Sequence, residues 1–207
     1  MKDMSFQEIS YVVADAFFGE DVDADTLKQI VYDTLPFDAP VVHVNNSIYS
    51  LELYHGPTLA FKDVGGRFMA RLLGHFIRKQ GKKEVNVLVA TSGDTGSAVA
   101  NGFLGVPGIH VYVLYPKGKV SPIQDCQFTT LGQNITALEI EGTFDDCQAL
   151  VKSAFMDKEL NAHMQLTSAN SINVARFLPQ AFYYFYAYAQ LAKMGKADNL
   201  VFCVPSG

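Results

Sequence analysis

The hydrophobic rhythm of the chain changes near residue 60. Within 5–18, Ile9, Val12, Val13, Ala16 and Phe17 fall on one helical face. Ser5 and Glu8 have the Ser-x-x-Glu spacing of a capping box, and Gly19 is placed to end the helix. A second helix is expected over 25–34, with Leu27, Ile30 and Val31 on one side and Pro36 beyond its end. The stretches 41–44 and 48–54 flank Asn45, Asn46 and Ser47, which predicts a β-hairpin.

Beyond residue 60, apolar strands alternate with helical stripes. Val64, Phe68, Leu72, Leu73, Phe76 and Ile77 form a stripe that Gly81 stops. Strands are expected at 85–90, 109–115, 135–140, 164–166 and 200–204. Helices are expected around Ala98–Phe103 and over 122–131, 144–155 and 173–193. This is the pattern of βαβ units, in which a parallel sheet is covered on both faces. The expected fold is therefore α/β, parallel sheets with flanking helices, preceded by an N-terminal helical pair and hairpin. The expected division is 1–60 and 61–207.

Composition narrows the function. With 207 residues, 49% of them hydrophobic, the chain can bury one sizeable core or two small ones. A net charge of −5 and no basic stripe argue against a nucleic-acid partner. The three cysteines are far apart and odd in number, as expected for reduced thiols in a cytoplasmic protein. The five histidines lack metal-ligand spacing, so no metal is expected. The first residues lack the apolar core of a signal peptide, and no apolar run nears the roughly 20 residues that span a bilayer. No membrane partner is expected. The aromatic run 182–188 suits a buried or interface helix face.

In open α/β sheets, ligands bind beyond the carboxyl ends of the strands. Three polar segments stand at such ends: Thr91–Gly96, Thr167–Asn173 and 205–207. Glycines and hydroxyls at a helix start suit carboxylate or phosphate, because the first helical amides lack partners. The Thr91–Gly96 loop is neither a Walker motif nor Gly-x-Gly-x-x-Gly. Asp94 would repel an anion there, so it is expected to cap the helix or to meet a ligand hydroxyl. Lys62 follows apolar Leu59, Ala60 and Phe61. Apolar surroundings favour a neutral amine, which can attack a carbonyl. Asp63 is expected to be the N-cap of the following helix. Arg67 and His55 could each serve a pocket or serve structure.

The run Leu-Glu-Leu-Tyr-His-Gly-Pro-Thr-Leu-Ala-Phe-Lys-Asp at 51–63 resembles the lysine motif of threonine synthases. The segments 89–98, 114–124, 142–148, 168–173 and 204–207 are similar to further motifs of that family, in the same order. The resemblance runs from about Ser5 to the last residue. It implies a pyridoxal-phosphate enzyme of the tryptophan synthase β-like fold, fold type II. Such enzymes convert O-phospho-L-homoserine and water to L-threonine and phosphate. It implies that Lys62 holds pyridoxal 5′-phosphate as a Schiff base and that Asp94 meets the cofactor's 3′-oxygen. Thr91, Ser92 and Thr95 are implied to meet the substrate carboxylate, while Ser206 and Gly207 open the cradle for the cofactor phosphate.

Chemistry alone, without a motif to transfer, nominates Ser168, Asn170, Asn173, Arg176 and Lys117 for the substrate phosphate. In the family, the Pro-Ser-Gly run continues into Asn-Phe-Gly, whereas this sequence stops at Gly207. The expectation is an N-terminal portion of the enzyme, inactive alone. The alternative is a non-catalytic relative that binds a ligand or partner. Dehydratases and cysteine synthases fit less well, since their lysine motifs lack the His-Gly-Pro-Thr form. Whether the chain forms oligomers stays open.

Overall fold

A computed structural model describes residues 1–81, 84–170 and 173–204. In chain order, its first elements are α1 (Phe6–Phe18), α2 (Ala24–Thr34), β1 (Val41–Asn45), β2 (Ile48–Leu51) and α3 (Lys62–Gln80). Then come β3 (Val85–Ala90), α4 (Asp94–Phe103), β4 (Ile109–Pro116), α5 (Pro122–Thr129) and β5 (Ile135–Ile140). The last are α6 (Phe144–Met156), α7 (Lys158–His163), β6 (Leu166–Ser168), α8 (Val174–Phe177) and α9 (Ala181–Lys193).

The chain forms two compact units. One takes Met1–His55 together with the described residues from Ala181 on, and the other takes Gly56–Gln180. This differs from a division at 60/61, because α9 joins the N-terminal helices. In the first unit the capping box forms: Ser5 Oγ accepts from the Glu8 amide, and Glu8 accepts from the Ser5 amide at 2.6 Å. Phe6 stacks on Tyr183 and Tyr186 of α9. Gln190 donates to the Ala39 carbonyl and accepts from the Val41 amide, which ties α9 to the hairpin. Asn46 turns that hairpin with a φ of 49°. The aromatic run is divided, with Phe182 and Tyr183 buried and Tyr184, Phe185 and Tyr188 exposed.

The second unit is built on a four-stranded sheet of order β5-β4-β3-β6, parallel throughout. Strand β3 is buried along its whole length. Val85, Val87 and Val89 pack with Met69 and Ile77 of α3 and with Val99 and Phe103 of α4. Leu88 and Ala90 point the other way, onto Cys147 and Val151 of α6. This alternation covers both faces, as a parallel sheet requires.

Helices α3 and α4 meet where neither has a side chain. A Cβ on Gly66 would lie 2.7 Å from the Ala98 carbonyl oxygen, and one on Gly102 would lie 2.8 Å from the Gly66 carbonyl carbon. The two backbones therefore touch directly.

Three expectations are corrected. The strand expected at 164–166 lies at Leu166–Ser168, because the Met164 amide closes α7 by donating to the Leu160 carbonyl. The helix expected over 173–193 breaks into α8, a 3₁₀ turn at Leu178–Gln180 and α9. Pro179 sits in that turn, where its missing N–H and its ring stop a continuous helix. The segment 200–204 is not a strand, and Val201 is 84% exposed. An apolar run needs a pairing neighbour to become a strand, and no described residue supplies one.

Candidate active site

Lys62 is the first residue of α3 and so stands at its N-terminus. Its neighbour Asp63 is not the N-cap. Phe61 holds that position, with no side-chain cap bond. Asp63 lies within the first turn, fully buried, and accepts from the Thr58 amide and hydroxyl. Burial raises the pKa of its carboxyl above the ordinary value, although the Thr58 bonds and Arg67 pull the other way. The pair fixes the loop that leads to Lys62. In that loop Leu59 has a φ of 60°, an uncommon conformation for a bulky residue.

The Lys62 Nζ lies 3.4 Å from Asp94 Oδ2 and 5.5 Å from the centre of the Phe61 ring. Its side chain is 23% exposed. The expected apolar surroundings are thus only partly present: an aromatic ring stands near the amine, and a carboxylate pairs with it. Helices α3 and α4 bring these residues together from 32 positions apart.

The loop that carries Asp94 is organised by Thr91. The Thr91 hydroxyl is fully buried; it accepts from the Gly93 amide at 2.9 Å and the Gly96 amide at 2.8 Å. It also lies 3.1 Å from the Gly93 carbonyl, to which it can donate. Its hydroxyl therefore shapes the loop. Gly93 adopts φ 144° and ψ −89°, which a side chain would strain. Asp94 and Thr95 open α4, and helix geometry gives their amides no acceptor within the helix. Ser92 is exposed and Thr95 half-buried beside those amides.

The remaining candidates brace this frame. Asn170 donates to the Ala90 carbonyl at 3.1 Å and accepts from the Ala90 amide at 3.4 Å, which binds the end of β3. The Asn170 amide donates to the Ser168 hydroxyl, and Asn173 donates to the Ser168 carbonyl while capping α8. Arg176 is only 4% exposed and donates to the Ala169 carbonyl. Burial lowers the pKa of its guanidinium. Lys117 is exposed and pairs with Glu141. Arg67 lies one turn beyond Asp63 on α3. His55 belongs to the other unit, where it bonds Glu52 at 2.7 Å. Ser206 and Gly207 lie outside the described residues.

One residue at the site has no charge or motif glycine to announce it. Gln124, on α5, donates from Nε2 to Asp94 Oδ1. It closes the 114–124 segment, whose resemblance was visible, but nothing local in the sequence couples it to a residue 30 positions away. Among the described residues, no group of three or more His, Cys, Asp or Glu could hold a metal ion. No described helix is long and apolar enough to cross a membrane.

A lysine at a helix start, set beside the N-terminus of a second helix at the carboxyl end of a parallel strand, accompanies a clear family likeness. The model of the pyridoxal-phosphate dependent enzymes fits residues 34–207, and the chain belongs to that family. Within it, threonine synthases are similar along nearly the whole chain. The Escherichia coli threonine synthase is 50% identical over 207 residues, covering all of this chain and 47% of its own length. That of Haemophilus influenzae is 52% identical over 200 residues, with 97% and 46% covered. The crystal structure of the Escherichia coli enzyme superposes with a TM-score of 0.84, covering 92% of this chain and 44% of that one. A PLP-bound threonine synthase from Brucella melitensis gives 0.82 at 35% identity, covering 94% and 47%. The chain thus spans about half the length of the relatives it matches.

The residues present fit the family's cofactor in three respects. Lys62 offers a partly exposed amine, Asp94 offers an acceptor beside it, and the start of α4 offers amides for an anion.

Proposed function

We propose that this chain carries the lysine and the substrate loop of a threonine synthase of fold type II. The reaction would convert O-phospho-L-homoserine and water to L-threonine and phosphate. The observation that carries this reading is the convergence of Lys62, Asp94 and the N-terminus of α4 at one end of the sheet. Identity of about half to threonine synthases, in register along the whole chain, supports the choice of substrate. A cytoplasmic location agrees with cysteines that form no disulfide.

Pyridoxal phosphate, when bound, supplies an electron sink for carbanions. The protein's own groups do the rest. Lys62 Nζ is the attachment point for the cofactor carbonyl. Once displaced, the amine holds and moves protons at the substrate's Cα and Cβ. Asp94 orients that amine and accepts from a ligand hydroxyl. The amides of Asp94 and Thr95, with the Ser92 and Thr95 hydroxyls, bind the substrate carboxylate. Thr91 keeps those amides pointed outward. Asn170 and Asn173 hold the Ser168 segment against the end of β3, which would make its hydroxyl available to the substrate side. Lys117, exposed and paired with Glu141, offers a cation for the leaving phosphate. Arg176, being buried, acts through the Ala169 carbonyl that it holds.

The test grafts the whole chain, residues 1–207, into the frame of the Escherichia coli enzyme in place of the matching residues. The graft should release phosphate from O-phospho-L-homoserine and leave serine and threonine nearly untouched. Borohydride should fix the cofactor to the Lys62 peptide, and Lys62→Ala should abolish both signals. Turnover of serine or threonine in preference to phosphohomoserine would refute the substrate assignment. Attachment at another lysine would refute the role of Lys62.

A further inference from the structure

Helix α5 touches both halves of the site. It carries Gln124 and Gln127, three positions apart and so on neighbouring parts of one face. Gln124 Nε2 donates to Asp94 Oδ1, the oxygen that Lys62 does not use. Gln127 Nε2 donates to the Thr58 carbonyl at 3.4 Å, in the loop that delivers Lys62.

Gln124 is itself held at several points. Its Oε1 accepts from the Ser121 hydroxyl at 3.0 Å. Its backbone carbonyl lies 3.3 Å from the hydroxyl of Ser97, a fully buried residue of α4 that can donate to it. The helix start is fixed by Ser121, which caps α5, and by Pro122 in the first turn. The amide also lies directly over Gly93, where a Cβ would come within 2.3 Å of Gln124 Oε1. Both the side chain and its backbone are thus held by named partners.

This geometry bears on Asp94. A carboxylate about half exposed at a helix start has several rotamers and can turn to water. A donor fixed on one oxygen removes that freedom and leaves the other oxygen facing Lys62. We propose that Gln124 is a positioning residue, whose side-chain amide holds the Asp94 carboxylate against the Lys62 amine. The arrangement is a chain of four side chains, Ser121 to Gln124 to Asp94 to Lys62. Its anchor is α5, and its end is the amine. The inference rests on the reading of Lys62 as the working amine, but its test needs no cofactor.

Reductive methylation with isotopic formaldehyde reports the reactivity of each lysine amine in the folded chain. Lys28, which lies over the Tyr32 ring in the other unit, serves as the internal reference. An ammonium held by a carboxylate reacts slowly, because it must first leave the pair and lose a proton. Gln124→Met keeps the length of the side chain and removes the donor. It should raise the Lys62 rate relative to Lys28 by about two- to fivefold, the range set by a partly exposed ion pair. Asp94→Asn should raise it by a similar factor. The double variant should match Asp94→Asn alone, since Gln124 acts through that carboxylate. Gln124→Ala carries the same expectation where the methionine variant fails to fold, with circular dichroism as the check. An unchanged Lys62 rate in a folded Gln124 variant would overturn the proposal. So would factors that multiply in the double variant, which would mean that Gln124 acts on Lys62 by another route. Because formaldehyde is the probe, neither outcome depends on whether pyridoxal phosphate binds.

Discussion

Asp63 accepts both donors of Thr58, the amide at 2.9 Å and the hydroxyl at 2.6 Å. The residue next to the candidate catalytic lysine therefore does structural work, closing the loop on which Lys62 depends. Asp63→Ala would leave two buried donors without an acceptor. It should cost about 1–3 kcal/mol in urea unfolding.

The same pair has a pH signature. Burial raises the folded-state pKa of Asp63 above its ordinary 3.8. The folded protein then holds this proton more tightly than the unfolded chain does. The linked stability is fully present below 3.8 and is lost as pH rises through the raised folded value. Asp63→Asn removes that titration. Stability of the parent relative to Asp63→Asn, followed by urea unfolding across the acid range, should fall with rising pH just above 3.8. A flat difference would contradict the assignment.

Thr91 and Gly93 shape the substrate loop by different means, and substitutions separate them. Thr91→Val keeps the shape but removes the oxygen that receives the Gly93 and Gly96 amides. A loss of about 1–3 kcal/mol is expected, with recovery in Thr91→Ser. Gly93→Ala adds a Cβ 2.3 Å from the Gln124 side chain, at a φ of 144°. Strain of this kind is worth of order 1–3 kcal/mol. Thermal unfolding of the three variants checks both losses and the recovery.

Thiol reactivity tests the packing of the sheet's second face. Cys126 and Cys203 are exposed, whereas Cys147 is buried against Leu88 and Leu114. Burial, with the Asp146 carboxylate beside it, raises the pKa of the Cys147 thiol. In a disulfide-exchange assay at neutral pH, two thiols should react promptly and the third only on unfolding. Three prompt thiols would mean that α6 does not cover the sheet.

Much of the fold was legible because local signals agreed with the final packing. Ser5 and Glu8 announced the start of α1, Gly81 ended α3 with a φ of 63°, and the apolar run 85–90 became the fully buried strand β3. Pro179 carries a local signal against a continuous helix over 173–193, and the helix breaks there. Two other features were ambiguous. An aspartate at a helix start reads the same whether it caps the helix or is buried under a loop, and Asp63 is buried. An apolar run such as 200–204 states a preference for burial, not the presence of a neighbour.

At the site, Lys62 and the Thr91–Gly96 loop were legible as chemistry, and their order along the chain carried the family resemblance. Their pairing was not. The contact between Lys62 and Asp94 is created by the crossing of α3 and α4, and Gln124 reaches Asp94 only because α5 lies over α4. Such distances are set by topology and leave no mark within a short window of sequence. Arg176 shows the converse. Its type suggested an anion site, yet it is buried and donates to the Ala169 carbonyl.

The contact of Gly66 with Gly102 makes that crossing unforgiving. Where helices meet through side chains, rotamers can absorb a small error, but two bare backbones have nothing to adjust. Lys62 stands about one turn ahead of the first glycine, and Asp94 about two turns ahead of the second. The reach between amine and carboxylate is therefore gauged at the helix crossing, not at the two groups themselves. A single methyl group added there would detune the site without touching it.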